Sequence, residues 1–321
     1  MNGQLPRRRL LLSGSTAAGL LLLTGGSVAS ATACTLVPAS HPVTGTRHFE
    51  SRVAQRQVRE RLRALERAYP GRIGAYAVDT ASDVAVSYRA DERFPLLSTF
   101  KVLAAAAVLK RARTQDPRLL DRLIRWTEAD LVEYSPVTEQ HVADGLTVAQ
   151  LCHAAITVSD NTAGNLLLQQ IDGPAGLTRY LRSLGDRDTR LDRWETDLNV
   201  WNPTERRDTT TPAAMGRTLH ALTVGRALHR DDRAQLIEWM RQTVTGDQRI
   251  RAGLPDDWSI GDKTGSSYYY GAANDVAIAY PPSQPPLIIA IYTNRLESDL
   301  TNDNAIIAQT ATILADALGK L

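Results

Sequence analysis

The sequence predicts an α/β protein of the α+β type, in which an antiparallel five-stranded sheet is flanked by helices and an all-helical domain is inserted into the chain. Strand-like segments occur near both ends of the chain, helical patterns fill the middle, and neighbouring strands have short connections. Short connections favour antiparallel pairing, and strands that meet from both ends of a chain leave its middle as an insertion. We expect a functional cleft between the two domains.

Helical and strand periods place the elements of the α/β domain. Residues 49–69 carry apolar residues at helical spacing between charges, which predicts an amphipathic helix. Residues 73–79 and 84–88 predict a hairpin, because a short polar turn separates two strand-like runs. Three later strands and a closing apolar-striped helix are predicted at residues 258–264, 275–280, 287–293 and 302–321.

The stretch between these two groups of strands is dominated by helical patterns. We therefore assign residues 91–212 to the inserted helical domain. Residues 49–90 and 213–321 then form the α/β domain.

Residues 1–33 are predicted to be an export signal. Arg7, Arg8 and Arg9 precede a leucine-rich run, and small residues follow where a signal peptidase would cut. The paired arginines fit twin-arginine export, with general secretion as the alternative. The apolar run is too short and too interrupted by glycine for a membrane span. We therefore expect a secreted, extracytoplasmic protein.

The two cysteines invite different interpretations. Residues 34–48 are rich in Pro, Thr and Ser and predict a linker that begins with Cys34. Since Cys34 stands at the expected cleavage point, a lipid-modified N-terminus and a free secreted form both stay open. Cys152 lies in an apolar helical stretch and predicts a buried, unreactive thiol.

Composition narrows the function classes. The chain has 321 residues, 43% apolar content, 22% charged content and a formal net charge of +2. These values are typical of a globular protein, and the balanced charge gives no footprint for nucleic acid. The histidines show no pair at ligand spacing, so we expect neither a metal nor another cofactor. No partner protein is implied, and a monomer is expected.

A serine–lysine pair opens an alanine-rich helical stretch. Lys101 follows Ser98 by one helical turn and therefore lies on the same face. A serine hydroxyl is a poor nucleophile until a base removes its proton, and a buried lysine shifted toward its neutral form can be that base. The N–H groups of a helix N-terminus would favour a developing oxyanion. The pattern alone also fits an ordinary helix start, and the apolar context favours the nucleophile.

Two further motifs are weak when each is taken alone. Ser159 and Asn161 flank an aspartate between two apolar helical runs, where a helix cap is the ordinary interpretation. Lys263, Thr264 and Gly265 fall on a predicted strand. There, a lysine and a hydroxyl beside a glycine would hold a carboxylate and let a ligand pair with the strand.

Taken together, the three motifs are specific. The serine–lysine, Ser-Asp-Asn and Lys-Thr-Gly set, in this order, is the signature of class A β-lactamases and penicillin-binding proteins. From about residue 49 to the C-terminus the sequence resembles a class A serine β-lactamase, with the fold shared by β-lactamases and penicillin-binding transpeptidases. Residues 130–137 and 155–163 resemble the family beyond the short motifs. The resemblance implies that β-lactams are the substrates and that the activity confers resistance to them.

A fourth segment separates hydrolases from acyl-transferring relatives. By resemblance, residues 193–199 belong to the omega loop of the family, with Glu195 as the deacylating base and Asn199 as a residue that positions water. A hydrolase must deprotonate a water, whereas a transpeptidase waits for an amine acceptor. Arg193 and Asp208 match the pair that pins this loop.

The resemblance also implies substrate contacts. Arg249 matches the arginine that reaches the substrate carboxylate, with Arg251 as its competitor, and Trp126 matches an aromatic gate residue at the cleft rim. The backbone N–H groups of Ser98 and Ser266 would form the oxyanion hole. The expected catalytic residues are Ser98, Lys101, Ser159, Glu195 and Asn199, and the expected substrate-binding residues are Asn161, Lys263, Thr264, Gly265, Ser266, Arg249 and Trp126.

The expected reaction begins when Ser98 attacks the lactam carbonyl. The base for this step is either Lys101 or a water bound by Glu195, and both stay open. Ser159 would relay the proton to the leaving nitrogen. Two alternative functions remain: a peptidoglycan transpeptidase or carboxypeptidase, which would share the first three motifs but not Glu195, and a β-lactam sensor that stays acylated, which would need a membrane-spanning segment.

Overall fold

Strands from both ends of the chain form one five-stranded antiparallel sheet, as the sequence predicts. A computed structural model describes the backbone from residue 44 to residue 321 and the side chains from residue 52. The five strands are β1 (Gly71–Asp79), β2 (Ala85–Tyr88), β7 (Ser259–Ser266), β8 (Ala273–Tyr280) and β9 (Leu287–Arg295). They pair in the order β2-β1-β9-β8-β7, which places β7 at one edge of the sheet.

Four two-residue strands lie between β2 and β7, and the sequence patterns did not predict them. They are β3 (Phe94–Pro95), β4 (Leu123–Ile124), β5 (Leu146–Thr147) and β6 (Thr209–Thr210). β3 pairs with β6, and β4 pairs with β5. Such short pairs carry no readable period, because two residues do not establish an alternation. The β3–β6 pair joins the start and the end of the predicted helical insertion.

Eight helices accompany the strands in the described part of the chain. They are α1 (Thr44–Ala68), α2 (Phe100–Thr114), α3 (Val148–Thr157), α4 (Asn161–Gln169), α5 (Gly173–Ser183), α6 (Pro212–Thr223), α7 (Arg230–Arg241) and α8 (Asn304–Ala317). Two of them correct the predicted bounds. α1 begins within the predicted linker, since no proline after Pro42 prevents it. α8 ends before the predicted residue 321, because Gly319 adopts a φ of +67° that terminates the helix.

The sheet is buried on both faces. α1 and α8 cover one face with an apolar cluster that includes Val58, Leu62 and Ile307. The helical layer covers the other face, and its centre is α2, whose alanines let neighbouring helices approach closely. Strands covered on both faces are expected to be apolar on both faces, and β8 and β9 are buried almost throughout.

The described residues, 44–321, belong to one compact unit. The predicted division of this unit at residues 91 and 212 into two domains therefore stays a prediction. Within the described residues, no helix has the length and the apolar character needed to cross a membrane. The predicted export signal, Cys34 and most of the predicted linker lie outside the described residues.

Candidate active site

Ser98 lies at the point where the sheet meets the helical layer. It sits in a 3-10 turn, Leu97–Thr99, which runs directly into α2. Leu97 has a φ of +48°, an unfavourable conformation for a branched side chain and typical of a functional turn. Gly265 of β7 packs against this turn: a Cβ there would lie 2.9 Å from Leu97 Cβ and 3.2 Å from the Ser98 nitrogen. Only glycine lets the edge strand approach the serine this closely.

Lys101 is fully buried behind the serine, one helical turn later on α2. Its Nζ lies 3.0 Å from Ser98 Oγ and 3.1 Å from Glu195 Oε1. It also donates to the backbone oxygen of Ser159 at 2.8 Å and to Asn161 Oδ1 at 2.5 Å. Burial lowers the pKa of Lys101 from its ordinary value, while the carboxylate of Glu195 opposes that shift. The predicted proximity of this lysine to the serine is confirmed.

The three residues of the Ser-Asp-Asn motif have different structural roles. Asp160 is the helix cap, since its side chain accepts from the Ala163 nitrogen at 2.8 Å. Ser159, with a φ of +62°, and Asn161 are thereby free to face Lys101. Asn161 also donates through Nδ2 to the Glu133 backbone oxygen at 2.8 Å. The cap interpretation is therefore right for the aspartate, and the two flanking residues belong to the site.

Glu195 is buried beside the serine and Lys101. Its Oε1 accepts from Ser98 Oγ at 3.4 Å, and its Oε2 accepts from Asn199 Nδ2 at 2.6 Å. Asn165 of α4 holds the backbone of Glu195 through two reciprocal hydrogen bonds of 2.9 Å. The sequence interpretation missed Asn165, although a polar amide within the apolar run of α4 was a readable signal. Asn199 Oδ1 is buried without a protein partner.

The loop that carries Glu195 is pinned at its base. Arg193 Nε donates to Asp208 Oδ2 at 2.6 Å, and Asp208 is completely buried. Asp208 Oδ1 accepts from the backbone nitrogens of Asp192 at 2.7 Å and Arg193 at 2.9 Å. The predicted Arg193–Asp208 pair is confirmed. Since three donors converge on one carboxylate, the pair fixes the path of the loop.

Lys263 brings a second buried amine to the cleft from β7. Its Nζ donates to Ser159 Oγ at 3.0 Å. Burial, with the neighbouring charge of Lys101, lowers the pKa of Lys263 to about 7. Thr264, next on the strand, exchanges a hydrogen bond of 2.6 Å with Thr245 Oγ1. The Thr264 hydroxyl therefore lines the cleft, and the amine of Lys263 lies buried behind it.

The structure separates the two candidate arginines. Arg249 lies on the cleft, where its Nη2 donates to Ser266 Oγ at 2.5 Å and its Nη1 donates to the Gly265 backbone oxygen at 2.8 Å. Arg251 points away from the cleft and donates through Nε to Asp262 Oδ1 at 2.6 Å. The geometry supports Arg249 as the arginine available to an anionic ligand.

Several of the site residues line one cavity of about 630 Å³. The predicted site residues on its wall are Ser98, Ser159, Asn161, Asn199, Arg249, Thr264, Gly265 and Ser266. Lys101, Glu195 and Lys263 lie directly behind this wall. The cavity mouth carries Tyr134, Tyr268 and Tyr269, all of them exposed. The cavity therefore combines a cationic floor with an aromatic rim.

The prediction for Trp126 was wrong. Trp126 is only 6% exposed, belongs to the apolar core of the helical layer and does not line the cavity. Tyr134 occupies the rim instead and is 58% exposed. The Asn161 backbone nitrogen donates to the Tyr134 backbone oxygen at 3.0 Å, which holds the tyrosine beside the site. The sequence alone could not distinguish these two aromatic residues, because only the fold brings one of them next to Asn161.

The arrangement can perform acyl transfer. A serine nucleophile has an amine and a carboxylate within reach, and a second buried amine with an arginine offers a place for an anion. The Glu195–Asn199 pair next to the serine can hold and deprotonate a water. Among the described residues, no cluster of His, Cys, Asp and Glu could hold a metal ion.

Comparisons with known proteins agree with this chemistry. The model of the β-lactamase enzyme family matches residues 57–318 of the chain. The chain is similar to β-lactamase AST-1 of Nocardia asteroides, with 48% identity over 98% of this chain and 96% of the relative. It is 45% identical to the carbapenem-hydrolyzing β-lactamase KPC of Klebsiella oxytoca, over 87% of this chain and 94% of the relative.

Solved structures give the same result. The β-lactamase of Streptosporangium roseum superposes with a TM-score of 0.82 and 60% identity, over 83% of this chain and 99% of the other. An ancestral class A β-lactamase superposes with a TM-score of 0.78 and 50% identity, over 81% of this chain and 99% of the other. Since the family match, the relatives and the catalytic geometry coincide, the chain belongs to the β-lactamase enzyme family as a class A β-lactamase.

Proposed function

We propose a role for each residue in the reaction of this enzyme. As a class A β-lactamase the chain hydrolyses the β-lactam ring of antibiotics, which confers resistance, through an acyl-enzyme on Ser98 that water activated by Glu195 deacylates. The observation that carries the assignment is the position of Glu195, which reaches Ser98 with one oxygen and Asn199 with the other. A transpeptidase has no use for a base that holds water at this position.

In the proposed complex the substrate carboxylate docks on Lys263, Thr264 and Arg249. The two cationic groups are buried, so their attraction for an anion is screened less than at the surface. The lactam carbonyl oxygen points between the backbone N–H groups of Ser98 and Ser266, which stabilise the negative charge that develops there. Asn161 and Gly265 contact the rest of the ligand along the strand edge.

Acylation requires that a base remove the Ser98 proton. One candidate base is Lys101, whose Nζ lies 3.0 Å from Ser98 Oγ. The other is a water bound by Glu195, whose Oε1 lies 3.4 Å from the same oxygen. The bond from Ser98 Oγ to the carbonyl carbon forms, and the lactam C–N bond breaks. Ser159 then passes its proton to the leaving nitrogen and recovers one from Lys101 or Lys263, which both lie within 3.4 Å of its hydroxyl.

In deacylation a water attacks the ester carbonyl carbon. Glu195 takes a proton from a water that Asn199 positions, and the resulting hydroxide attacks the ester carbonyl. The bond between the carbonyl carbon and Ser98 Oγ breaks, and Ser98 Oγ takes up the proton that Glu195 removed from the water. Hydrolysis consumes one water per ring. No step uses a metal or another cofactor, and we propose that the enzyme acts as a monomer without a partner protein.

The location of the enzyme follows its class. Class A β-lactamases act outside the cytoplasm, and we propose that residues 1–33 direct export, by the twin-arginine route or by general secretion, before they are removed. Mass spectrometry of the mature enzyme isolated from a culture, which identifies its N-terminal residue, tests this. A chain that starts near Cys34 supports the proposal, and a mass increment at Cys34 would identify the lipid-anchored form. Retention of residues 1–33 in the mature enzyme would contradict it.

The decisive experiment compares the mature wild type with Glu195→Gln. The wild type is expected to hydrolyse a chromogenic cephalosporin over many turnovers. Glu195→Gln is expected to open about one equivalent of the substrate ring per enzyme and then stall as the acyl-enzyme, since loss of a general base slows deacylation by about 10²–10⁴-fold. Intact-mass spectrometry checks for a stable adduct on Ser98, and Ser98→Ala is the control without one.

Two outcomes would overturn the assignment. Stoichiometric acylation without turnover in the wild type would indicate a sensor or a penicillin-binding protein. Full turnover in Glu195→Gln would show that another group deprotonates the water.

A further inference from the structure

Two buried carboxyl groups lie behind the cleft and have no role in the proposed reaction. Asp262 precedes Lys263 on β7, and Asp275 lies on the neighbouring strand β8. Asp275 pairs across the strands with Thr264, which is two residues after Asp262. Because side chains two residues apart share a face of a sheet, the two carboxyl groups lie on the same face as diagonal neighbours. Both residues are completely buried.

Each carboxyl group has one satisfied oxygen and one without a partner. Asp262 Oδ1 accepts from Arg251 Nε at 2.6 Å, and Asp275 Oδ2 accepts from the Ile250 backbone nitrogen at 3.0 Å. Asp262 Oδ2 and Asp275 Oδ1 are buried without a hydrogen-bond partner. Two unpaired carboxylate oxygens in one buried cluster would be costly if both groups were ionised.

The charged groups around the pair do not supply the missing donors. Arg249 directs its Nε to Asn304 and its Nη groups to the backbone of Gly265 and Asn274 and to the Ser266 hydroxyl. Its guanidinium therefore makes no hydrogen bond to Asp275.

The remaining charges act on the pair only through space. Lys263, on the adjacent position of β7, directs its amine to Ser159. Arg251 makes its bond to the satisfied oxygen of Asp262, and Asp247 adds a further negative charge. Burial raises the pKa of Asp275, and the negative charge of Asp262 raises it further, against the opposing effects of Arg249 and Lys263.

We propose that Asp275 is a neutral carboxylic acid in the working enzyme, that its O–H donates to Asp262, and that it is a positioning residue for the anion-binding side of the cleft. A single proton on Asp275 Oδ1 satisfies both unpaired oxygens at once, since one becomes a donor and the other its acceptor. Asp262 remains the ionised member because its other oxygen already holds the guanidinium of Arg251.

A neutral Asp275 has a consequence for substrate binding. The carboxyl group lies behind Arg249 and Lys263, the two cations assigned to the substrate carboxylate. An ionised carboxylate there would offset part of their attraction for the substrate, whereas a neutral acid leaves it available. The acid also holds the Ile250 N–H, and Ile250 directly follows Arg249 in the chain. This consequence for substrate binding rests on the proposed roles of Arg249 and Lys263. The protonation state proposed for Asp275 is independent of those roles.

The first test reads the proton directly in the full mature chain. The infrared difference spectrum of wild type minus Asp275→Asn in heavy water at neutral pH is expected to contain the carbonyl stretch of a protonated carboxylic acid. Asn keeps the geometry, since its amide N–H can donate to Asp262 and its oxygen can accept from the Ile250 N–H. Absence of the band from the wild type, or its persistence in Asp275→Asn, would overturn the proposal whatever the enzyme hydrolyses.

The second test reads the charge through the pH dependence of KM. KM is expected to rise with pH as Lys263 loses its charge, which gives the pH profile an inflection. If Asp275 is neutral, Asp275→Asn removes no charge, so KM changes by less than about twofold and the inflection stays at the same pH. If Asp275 is ionised, the substitution removes a negative charge beside Lys263, and the inflection moves to lower pH. That shift would overturn the proposal.

Asp275→Ala serves as the matched comparison for fold and position. It leaves both the Ile250 N–H and Asp262 Oδ2 without a partner. We expect a lower melting temperature and a higher KM, both restored in Asp275→Asn. Equal loss in both variants would contradict the neutral-acid assignment.

Discussion

Lys263 Nζ donates a hydrogen bond of 3.0 Å to Ser159 Oγ, which joins the edge strand of the sheet to the turn between α3 and α4. Both partners are buried, and the pKa of Lys263 is lowered to about 7 by burial and by the charge of Lys101. Because we propose that this amine binds the substrate carboxylate, a change of its charge near neutral pH is expected to make substrate binding sensitive to pH.

The first prediction concerns that sensitivity. Lys263 is cationic below its pKa and neutral above it, whereas the substrate carboxylate stays ionised throughout. KM is therefore expected to rise as the pH increases from about 6 to about 9, by roughly tenfold, because one charge-assisted hydrogen bond is lost. Lys263→Arg should abolish the rise, since arginine stays charged. Lys110→Arg, an exposed change on α2, is the control, and a flat wild-type profile would contradict the prediction.

The second prediction separates the two arginines. Arg249→Ala is expected to raise KM by roughly tenfold with a smaller effect on kcat, because a charge that contacts the substrate is lost. Arg251→Ala is expected to leave KM nearly unchanged and to lower the free energy of unfolding by about 1–3 kcal/mol, because it leaves Asp262 Oδ1 buried without its guanidinium partner. Steady-state kinetics and denaturant titration of both variants check this. Equal KM values for the two variants would remove the special role of Arg249.

The third prediction concerns the aromatic rim. Tyr134→Ala is expected to change KM while it shifts the free energy of unfolding by no more than about 0.5 kcal/mol, as for other exposed substitutions. Trp126→Ala is expected to cost about 3–5 kcal/mol and to leave the KM of the folded enzyme unchanged, because it opens a cavity in the core. The reverse pattern would restore Trp126 as the gate residue.

The fourth prediction concerns the pin of the omega loop. Arg193→Gln is expected to lower the free energy of unfolding by roughly 2–3 kcal/mol, because Asp208 is then buried without its guanidinium. It should also slow deacylation more than acylation, since Glu195 lies two residues away. Arg56→Gln, which removes an exposed pair with Glu60, is the control, with an expected change below about 0.5 kcal/mol. Unchanged deacylation in Arg193→Gln would show that the loop keeps its path without the pin.

The sequence was informative where a motif or a hydrophobic pattern involves residues that are close together in the chain. Ser98 and Lys101 are one helical turn apart, so their proximity follows from the helix they open. The strands β1, β7, β8 and β9 are long enough for their pattern to be read, and the predicted five-stranded sheet is confirmed. Glu195 and Asn199 were identified through the resemblance to the family, whose motif places both residues in one short segment of the chain.

The sequence could not predict roles that depend on packing between residues distant in the chain. Asn165 holds the Glu195 backbone from α4, and a polar residue in an apolar helix does not reveal its partner. Tyr134 reaches the rim because Asn161 holds its backbone, while Trp126, the residue expected there, faces the core.

The sequence by itself determined the fold class, the catalytic serine and the enzyme family, because motifs and hydrophobic periods report interactions within a few residues. Only the tertiary structure decided which aromatic residue faces the cleft, which arginine lines it, and that Asp262 and Asp275 share a buried face. Strand register and helix packing set these relationships, and they join residues whose separation along the chain carries no signal of their contact.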